Sequence, residues 1–272
     1  MLLLIAESKT MSADERIISK DEYLKHIPSG EKLADGIMDY FSKLSVGEIS
    51  AVTGFSASLS NRLHAFAYEF PNKNLGIKAI EAYTGVVFKA LDYPALSDNA
   101  KLLCQGNVRI ISSLYGLLYP EDIVKPYRFD YKIKNFSLPK TENWNSGLPV
   151  EALRKKSVTI DLIKELESGS HSDVVNLLPA DASSCIDWKL IRRYAKVWKM
   201  DFVEFKSDEK GDGSAPVLKT PNASKLKTMR GLLLRQILQD NIRDIDELKR
   251  IVSNDYICEG TPQYPDHLRF LC

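Results

Sequence analysis

The chain is short of the patterns that announce the commonest chemistries. Its four cysteines, Cys104, Cys185, Cys258 and Cys272, are far apart and form no Cys-x-x-Cys pair. That spacing argues against a zinc ribbon, an iron–sulfur cluster or a disulfide framework. The four histidines, His26, His64, His171 and His267, are equally scattered. The sequence therefore supports no metal site, and no cofactor is expected. No apolar run approaches the ~20 residues that span a bilayer. The opening MLLLIAESKT turns polar at Glu7 and Lys9, too soon and without the basic leader of a signal peptide. A cytoplasmic protein with no membrane partner is the expectation. Charge of one sign is also missing: 37 basic against 36 acidic residues leave a net charge of +1. Composition alone thus gives no sign of a nucleic-acid domain. Basic side chains gather only locally, near Lys219–Arg235 and at Lys125, Arg128, Lys132 and Lys134. Repeats, low-complexity segments and clear linkers are absent too.

What remains is enough for a substantial core, 44% hydrophobic and 27% charged over 272 residues. The N-terminal run reads as a first strand. A helix is expected from about Gly30 to Lys43, with Ile37, Met38 and Phe41 on its apolar stripe. Ser45 to Glu48 has the capping-box pattern and opens a short helix, Gly47 to Val52, followed by a second containing Leu59, Leu63 and Phe66. Asp98 to Gln105 and Val158 to Leu166 read as helices. Val108–Ile111, Val174–Leu178 and the alternating Val197–Phe205 read as strands. Leu138–Pro149 reads as a long loop anchored by Trp144, and Glu209–Gly213 as a tight turn before a return strand at Val217-Leu218. An amphipathic helix over Lys225–Gln239 and another over Ile245–Val252 complete the chain. Strands and helices interleave without regular βαβ spacing. The expected fold is therefore mixed α/β (α+β): one domain over 1–272, a mixed β-sheet enclosed by helices, rather than a doubly wound fold.

Four stretches carry candidate chemistry. Val108 to Arg128, VRIISSLYGLLYPEDIVKPYR, runs from a β-branched strand through Ser112, Ser113, Tyr115 and Gly116 to two prolines, with Asp122 between them. Such an exit delivers side chains to a sheet rim, although a buried strand with a proline-marked end would look the same. Ile49 to Leu63 has helix-hairpin-helix spacing, giving a helix-hairpin-helix-like element over about 47–67. Hairpin amides and the second helix's N-terminus, at Gly54 and Ser56 with Asn61 and Arg62 flanking, would hold a DNA phosphate. Ser56 stands where a second glycine belongs and could equally cap a plain αα-hairpin. Lys9, between Ser8 and Thr10, is either an anion ligand at a strand terminus or a solvated lysine after an edge strand. Lys227 and Arg230 share a helical face beside Gly231, which marks either a ligand's close approach or helix packing.

In chain order these stretches resemble the YaaA peroxide-stress family. MLLLIAESKT is similar to its opening strand and Ser-Pro-Ala-Lys-Thr element, and Thr84 to Phe88 to its Gly-Asp-Val-Tyr stretch. Ser112 to Asp122 resembles its Ser-Gly-Leu-Tyr-Gly-Leu-Leu-Arg-Pro-Leu-Asp signature. Val175-Asn176-Leu177 and Lys227 to Gly231 fall where its Asn-Leu and Lys-Ala-Arg-Gly elements belong. The departures are Ala6-Glu7-Ser8 for Ser-Pro-Ala, Ser113 for glycine and Tyr119 for arginine. Leu178 to Ala182, including Asp181, also replaces Ala-Ser-x-Glu-Tyr. The resemblance implies a single-domain fold with a positively lined cleft, DNA binding, and a role in limiting iron-dependent DNA damage during peroxide stress.

Two functions follow. One is non-sequence-specific DNA binding, with phosphate held at Gly54–Ser56 and a cleft lined by Lys9, Arg128, Lys227 and Arg230. The other is an enzyme on a nucleotide-like or other anionic small molecule. There Lys9, Tyr115, Asp122, Arg128, Asn176 and Arg230 would converge in one pocket, with Tyr115 or Asp122 transferring protons. The sequence says nothing of oligomeric state.

Overall fold

Five consecutive apolar residues without a polar break suit a strand covered on both faces, and Leu2–Ala6 is buried along its whole length. The computed structural model describes residues 1–12, 16–71, 75–133, 136–139, 147–206 and 217–272. In chain order the strands are β1 (Leu2–Ala6), β2 (Arg16–Ile17), β3 (Leu75–Lys78), β4 (Val108–Ser112), β5 (Gly116–Leu118), β6 (Ile123–Val124), β7 (Asp173–Asn176), β8 (Lys196–Lys206), β9 (Val217–Lys219), β10 (Ile257–Cys258) and β11 (His267–Leu271). The helices are α1 (Lys20–Lys25), α2 (Glu31–Ser42), α3 (Val46–Thr53), α4 (Ala57–Glu69), α5 (Ala79–Ala82), α6 (Val86–Leu91), α7 (Asp98–Asn107), α8 (Val150–Glu167), α9 (Ala180–Ser183), α10 (Trp188–Ile191), α11 (Ala223–Gln239) and α12 (Ile245–Leu248).

Eight strands form the main sheet in the order β10-β11-β8-β7-β1-β4-β5, with β9 paired to β8. The five central strands, β4 to β11 through β1, run parallel. The edge strands β5 and β10, and β9, are antiparallel. The sheet is mixed and enclosed by helices as expected, but its parallel centre with helices on both faces has the doubly wound character that the irregular spacing of elements argues against. Alternation along the strands divides the core. Leu3, Ile5, Ile110 and Val175 face a cluster built with α2, α4, α6 and α11. Leu2, Leu4, Ile111 and Val174 face the cluster of α8, α9 and α10. Among the described residues no helix is long and apolar enough to cross a membrane.

The topology singles out one place. The chain builds β4 on one side of β1 and later β7 on the other. β1 is therefore a topological switch point, where connections diverge and leave a crevice beyond the carboxyl ends of the strands. Lys9 follows this central strand, not an edge strand as its plainer alternative assumed.

The expected helices at Gly30–Lys43, Asp98–Gln105 and Lys225–Gln239 correspond to α2, α7 and α11, and the return strand at Val217-Leu218 is β9. The last expected helix is shorter: α12 stops at Leu248, and Val252 forms a bridge with Ile257. Trp144, Lys134 and the turn at Glu209–Gly213 lie outside the described residues.

Gly231 turns out to be a packing glycine. A Cβ there would sit 2.4 Å from the Val87 carbonyl oxygen and 2.7 Å from the Ala90 Cβ, so α11 and α6 touch backbone to backbone. Arg235 reinforces the contact by donating 2.9 Å to the Leu91 carbonyl. Alanine would gain ~1 kcal/mol of helix propensity at this position, but the overpacking costs ~1–3 kcal/mol. Gly231→Ala is therefore expected to lower stability, read as a lower urea midpoint with unchanged slope. An unchanged or raised midpoint would show that the helices separate freely.

Candidate functional site

Beyond Ala6 the chain leaves β1 and tightens. The Glu7 amide still donates to the Ile111 carbonyl at 2.9 Å, and the Ser8 hydroxyl takes the Thr10 amide at 3.1 Å. Gly85 closes over this turn, since a Cβ there would lie 2.1 Å from the Ser8 hydroxyl. The turn lines a cavity of about 330 Å³ with the start of α6, residues Leu177 to Asp181, and Lys227 and Arg230 of α11.

Glu7 is bonded by the Tyr127 hydroxyl. Tyr127 also lies 2.7 Å from the Ser112 hydroxyl and 2.8 Å from that of Tyr83. Burial pushes the Glu7 carboxyl above its ordinary value, and hydrogen bonds from its hydroxyl neighbours oppose the rise. At the rim, Lys9 is paired with Asp130. Arg128 sits 4.0 Å from the same carboxylate, with its guanidinium 5.4 Å from the centre of the Phe55 ring. Arg230 makes no hydrogen bond or contact ion pair among the described residues. Burial lowers its pKa, and the Asp181 charge opposes this.

The six groups expected to share one pocket are distributed. Lys9 and Arg230 line the 330 Å³ cavity. Asn176 and Arg230 border a wider cleft of about 920 Å³ with Lys155, Arg192 and Lys199. The Asn176 side chain caps its own turn, accepting from the Leu178 amide at 3.0 Å. Tyr115 is buried between Phe70 and Tyr127, its hydroxyl accepting from the Lys125 amide at 3.2 Å. Asp122 accepts from the Tyr119 amide at 2.8 Å, closing the Pro120 turn. Burial raises this carboxyl to about 7, but it borders neither cavity.

Gly54, Ser56, Asn61 and Arg62 all fall on an exposed αα-hairpin. Gly54 ends α3 at φ 69°, and Ser56 caps α4 through the Leu59 amide. Asn61 and Arg62 are exposed, with Arg62 over the Phe66 ring. Of the local basic candidates, Lys125 is buried and spends its ammonium on the Phe70 carbonyl. Among the described residues no three His, Cys, Asp or Glu groups are placed to hold a metal ion.

Residues 1–261 match the family model for peroxide stress protein YaaA. The chain belongs to that family. A UPF0246 protein of Parabacteroides distasonis is 27% identical over all of this chain and 99% of its own length. Another, of Crocosphaera subtropica, is 30% identical over 92% of this chain and 91% of its own. A third, of Flavobacterium psychrophilum, is 28% identical with the same coverage. The departures from the family's pattern sort by position. Glu7 and Asp181 line the 330 Å³ cavity. Ser113 and Ala182 are fully buried, and Tyr119 belongs to a separate ion-pair network. Glu7 was the group the sequence did not mark as functional. Its signals were a carboxylate immediately after a fully apolar strand and the departure from the family's proline at that position.

In that separate network, Glu165 accepts from Arg109 at 2.6 Å and from the Tyr119 hydroxyl at 2.5 Å, with His171 3.6 Å away. Burial works to raise the Glu165 carboxyl, but His171, Tyr119 and Arg109 together bring it down to about 2. A folded pKa below the unfolded one stabilises above the unfolded value, and that stability is lost as pH falls through the folded value. Glu165→Gln is expected to destabilise the protein at pH 7 and to flatten the loss of stability between about pH 4.5 and pH 2. Chemical denaturation across that range checks it, and parallel acid limbs in both proteins would contradict it.

Proposed function

We propose that the protein binds DNA without regard to sequence and, during peroxide stress, shields it from iron-dependent damage. The observation that carries this reading is the chain of contacts joining hairpin to cavity. Phe55, within the hairpin, carries Arg128 on its ring; Arg128 shares Asp130 with Lys9; and Lys9 opens onto Lys227 and Arg230. From Arg230 the path continues into the 920 Å³ cleft with Lys155, Arg192 and Lys199. A backbone phosphate would sit at Gly54–Ser56, beside the first-turn amides of α4 that the Ser56 cap leaves unused and the positive end of the helix dipole. Arg62 and Asn61 would flank it, and Lys227 and Arg230 would meet a phosphate further along.

Such contacts position a protein on DNA and do not read bases. Protection follows from the same electrostatics. Ferrous iron gathers on phosphates as a counterion, and each phosphate covered by lysine or arginine releases its counterions. Membership of a family named for peroxide stress supports the setting. The enzyme alternative loses its two proton-transfer groups, because Tyr115 and Asp122 border neither cavity.

Fluorescence anisotropy of a labelled duplex, titrated across salt, tests the proposal. The logarithm of affinity should fall with a slope of about −0.9 per phosphate neutralised. Arg62→Glu, at an exposed position, should weaken binding about tenfold and lower the slope by about 1. No affinity for duplex, nicked or single-stranded DNA at low salt would sink it.

A further inference from the structure

The cavity beyond β1 is not built like a bare phosphate site. Three cations, Lys9, Lys227 and Arg230, line it with three carboxylates, Glu7, Asp130 and Asp181. Lys9 and Asp130 satisfy each other. That leaves Lys227 and Arg230 without a contact ion pair among the described residues, facing a space that also exposes Glu7 and Asp181. Apart from the hydroxyl-bearing Ser8, Thr10 and Tyr131, the rest of the wall is apolar, with Val86–Phe88 on one element and Leu177 and Pro179 on another. Its volume of about 330 Å³ lies at the lower end of the ~300–1,000 Å³ span of small-molecule sites. It has room for one nucleotide but not for a base pair. A ligand matching all of this has an anionic end, a flat apolar middle, and hydrogen-bond donors that a carboxylate can accept. A partly desolvated guanidinium with no acceptor among the described residues is the group whose energy an incoming phosphate improves most.

We propose that this cavity binds one nucleoside monophosphate unit, with its phosphate on Lys227 and Arg230 and its base between the two apolar walls. The amino or hydroxyl donors of that unit meet Glu7 and Asp181. Glu7 is suited to this because Tyr127 fixes the carboxyl from the protein side while the residue keeps surface in the cavity. The unit can come as a free nucleotide or as an unstacked or terminal nucleotide of a strand, extruded as base-flipping proteins do. Only the strand source rests on the DNA binding proposed above.

Calorimetric titration of the full chain with dGMP, inorganic phosphate and glutamate reads the free arm. dGMP is expected to bind about tenfold or more tightly than either of the others. Lys227→Gln, at an exposed position that does not threaten folding, should weaken dGMP about tenfold. Glu7→Gln should weaken dGMP and leave phosphate unchanged. Phosphate or glutamate binding as well as dGMP would overturn the assignment, as would indifference of dGMP binding to Lys227→Gln. For the strand arm, a duplex with 2-aminopurine at one end should brighten on binding, and Lys227→Gln should abolish the brightening. DNA bound with unchanged fluorescence, together with no dGMP binding, would overturn the cavity proposal and leave the DNA reading standing. dGMP bound without any DNA affinity would do the reverse.

Discussion

The rim of the sheet depends on how one carboxyl is held at the end of its central strand. A buried carboxylate without partners costs several kcal/mol, and Glu7 accepts a hydrogen bond from the Tyr127 hydroxyl. A hydroxyl has one proton to give and two lone pairs to accept with. Since Tyr127 donates to Glu7, it must accept from Ser112 and Tyr83, at 2.7 and 2.8 Å. The Ser112 oxygen in turn takes the amides of Leu114 and Tyr115. All three hydroxyls are thus polarised toward one carboxyl. They fix the end of β1 to the end of β4, to the turn after β4, and to the segment that leads into α6. Two of the cavity's walls, the end of β1 and the start of α6, are thereby held from behind.

That arrangement explains why much of the fold was legible in the sequence and the site was not. Helices announced themselves by periodicity and caps: the Ser45–Glu48 box is present as written, and α2 buries Ile37, Met38 and Phe41. Strands announced themselves by apolar runs, since Leu2–Ala6 has no polar break and Val108–Ile111 is β-branched apart from Arg109. Which strand is central is a non-local fact, set by pairing between residues more than a hundred positions apart. Lys9 therefore reads as a lysine after an edge strand as readily as an anion ligand, and Tyr115 and Asp122 read as site groups from their place in the Ser112–Asp122 signature. In the structure Tyr115 packs in an aromatic stack and Asp122 closes a turn.

The departures from the family's pattern carry physical content of the same kind. Ser113 replaces a glycine without strain, because its backbone is not left-handed; Gly116, at φ 79°, supplies the turn's freedom. The Ser113 carbonyl is instead held by the buried Arg154 at 2.5 Å. Tyr119 exchanges a cation for a phenol between Arg109 and Glu165, and its ring lies 3.8 Å from the Arg109 guanidinium. These changes keep β4 and β5 seated on α8. The positions of Glu7 and Asp181 are different: Glu7 adds a carboxylate to the cavity wall where the family's pattern has proline, and Asp181 keeps a carboxylate there, one methylene shorter than the pattern's glutamate.

Those two carboxylates bear on how a chain of net charge +1 could hold nucleic acid. Screening limits exposed charges to roughly 10 Å at moderate salt, so overall charge matters less than what stands within one phosphate spacing. The hairpin relies on amides and a helix dipole, which a net-charge count does not include. In the cavity the carboxylates oppose a bare anion but favour a ligand that brings its own donors. Discrimination by donors left unpaired is sharper than discrimination by charge. A protein with no global basic field would then rely on local fit: backbone contacts to settle on a strand and a small mixed-charge cavity to recognise a single nucleotide.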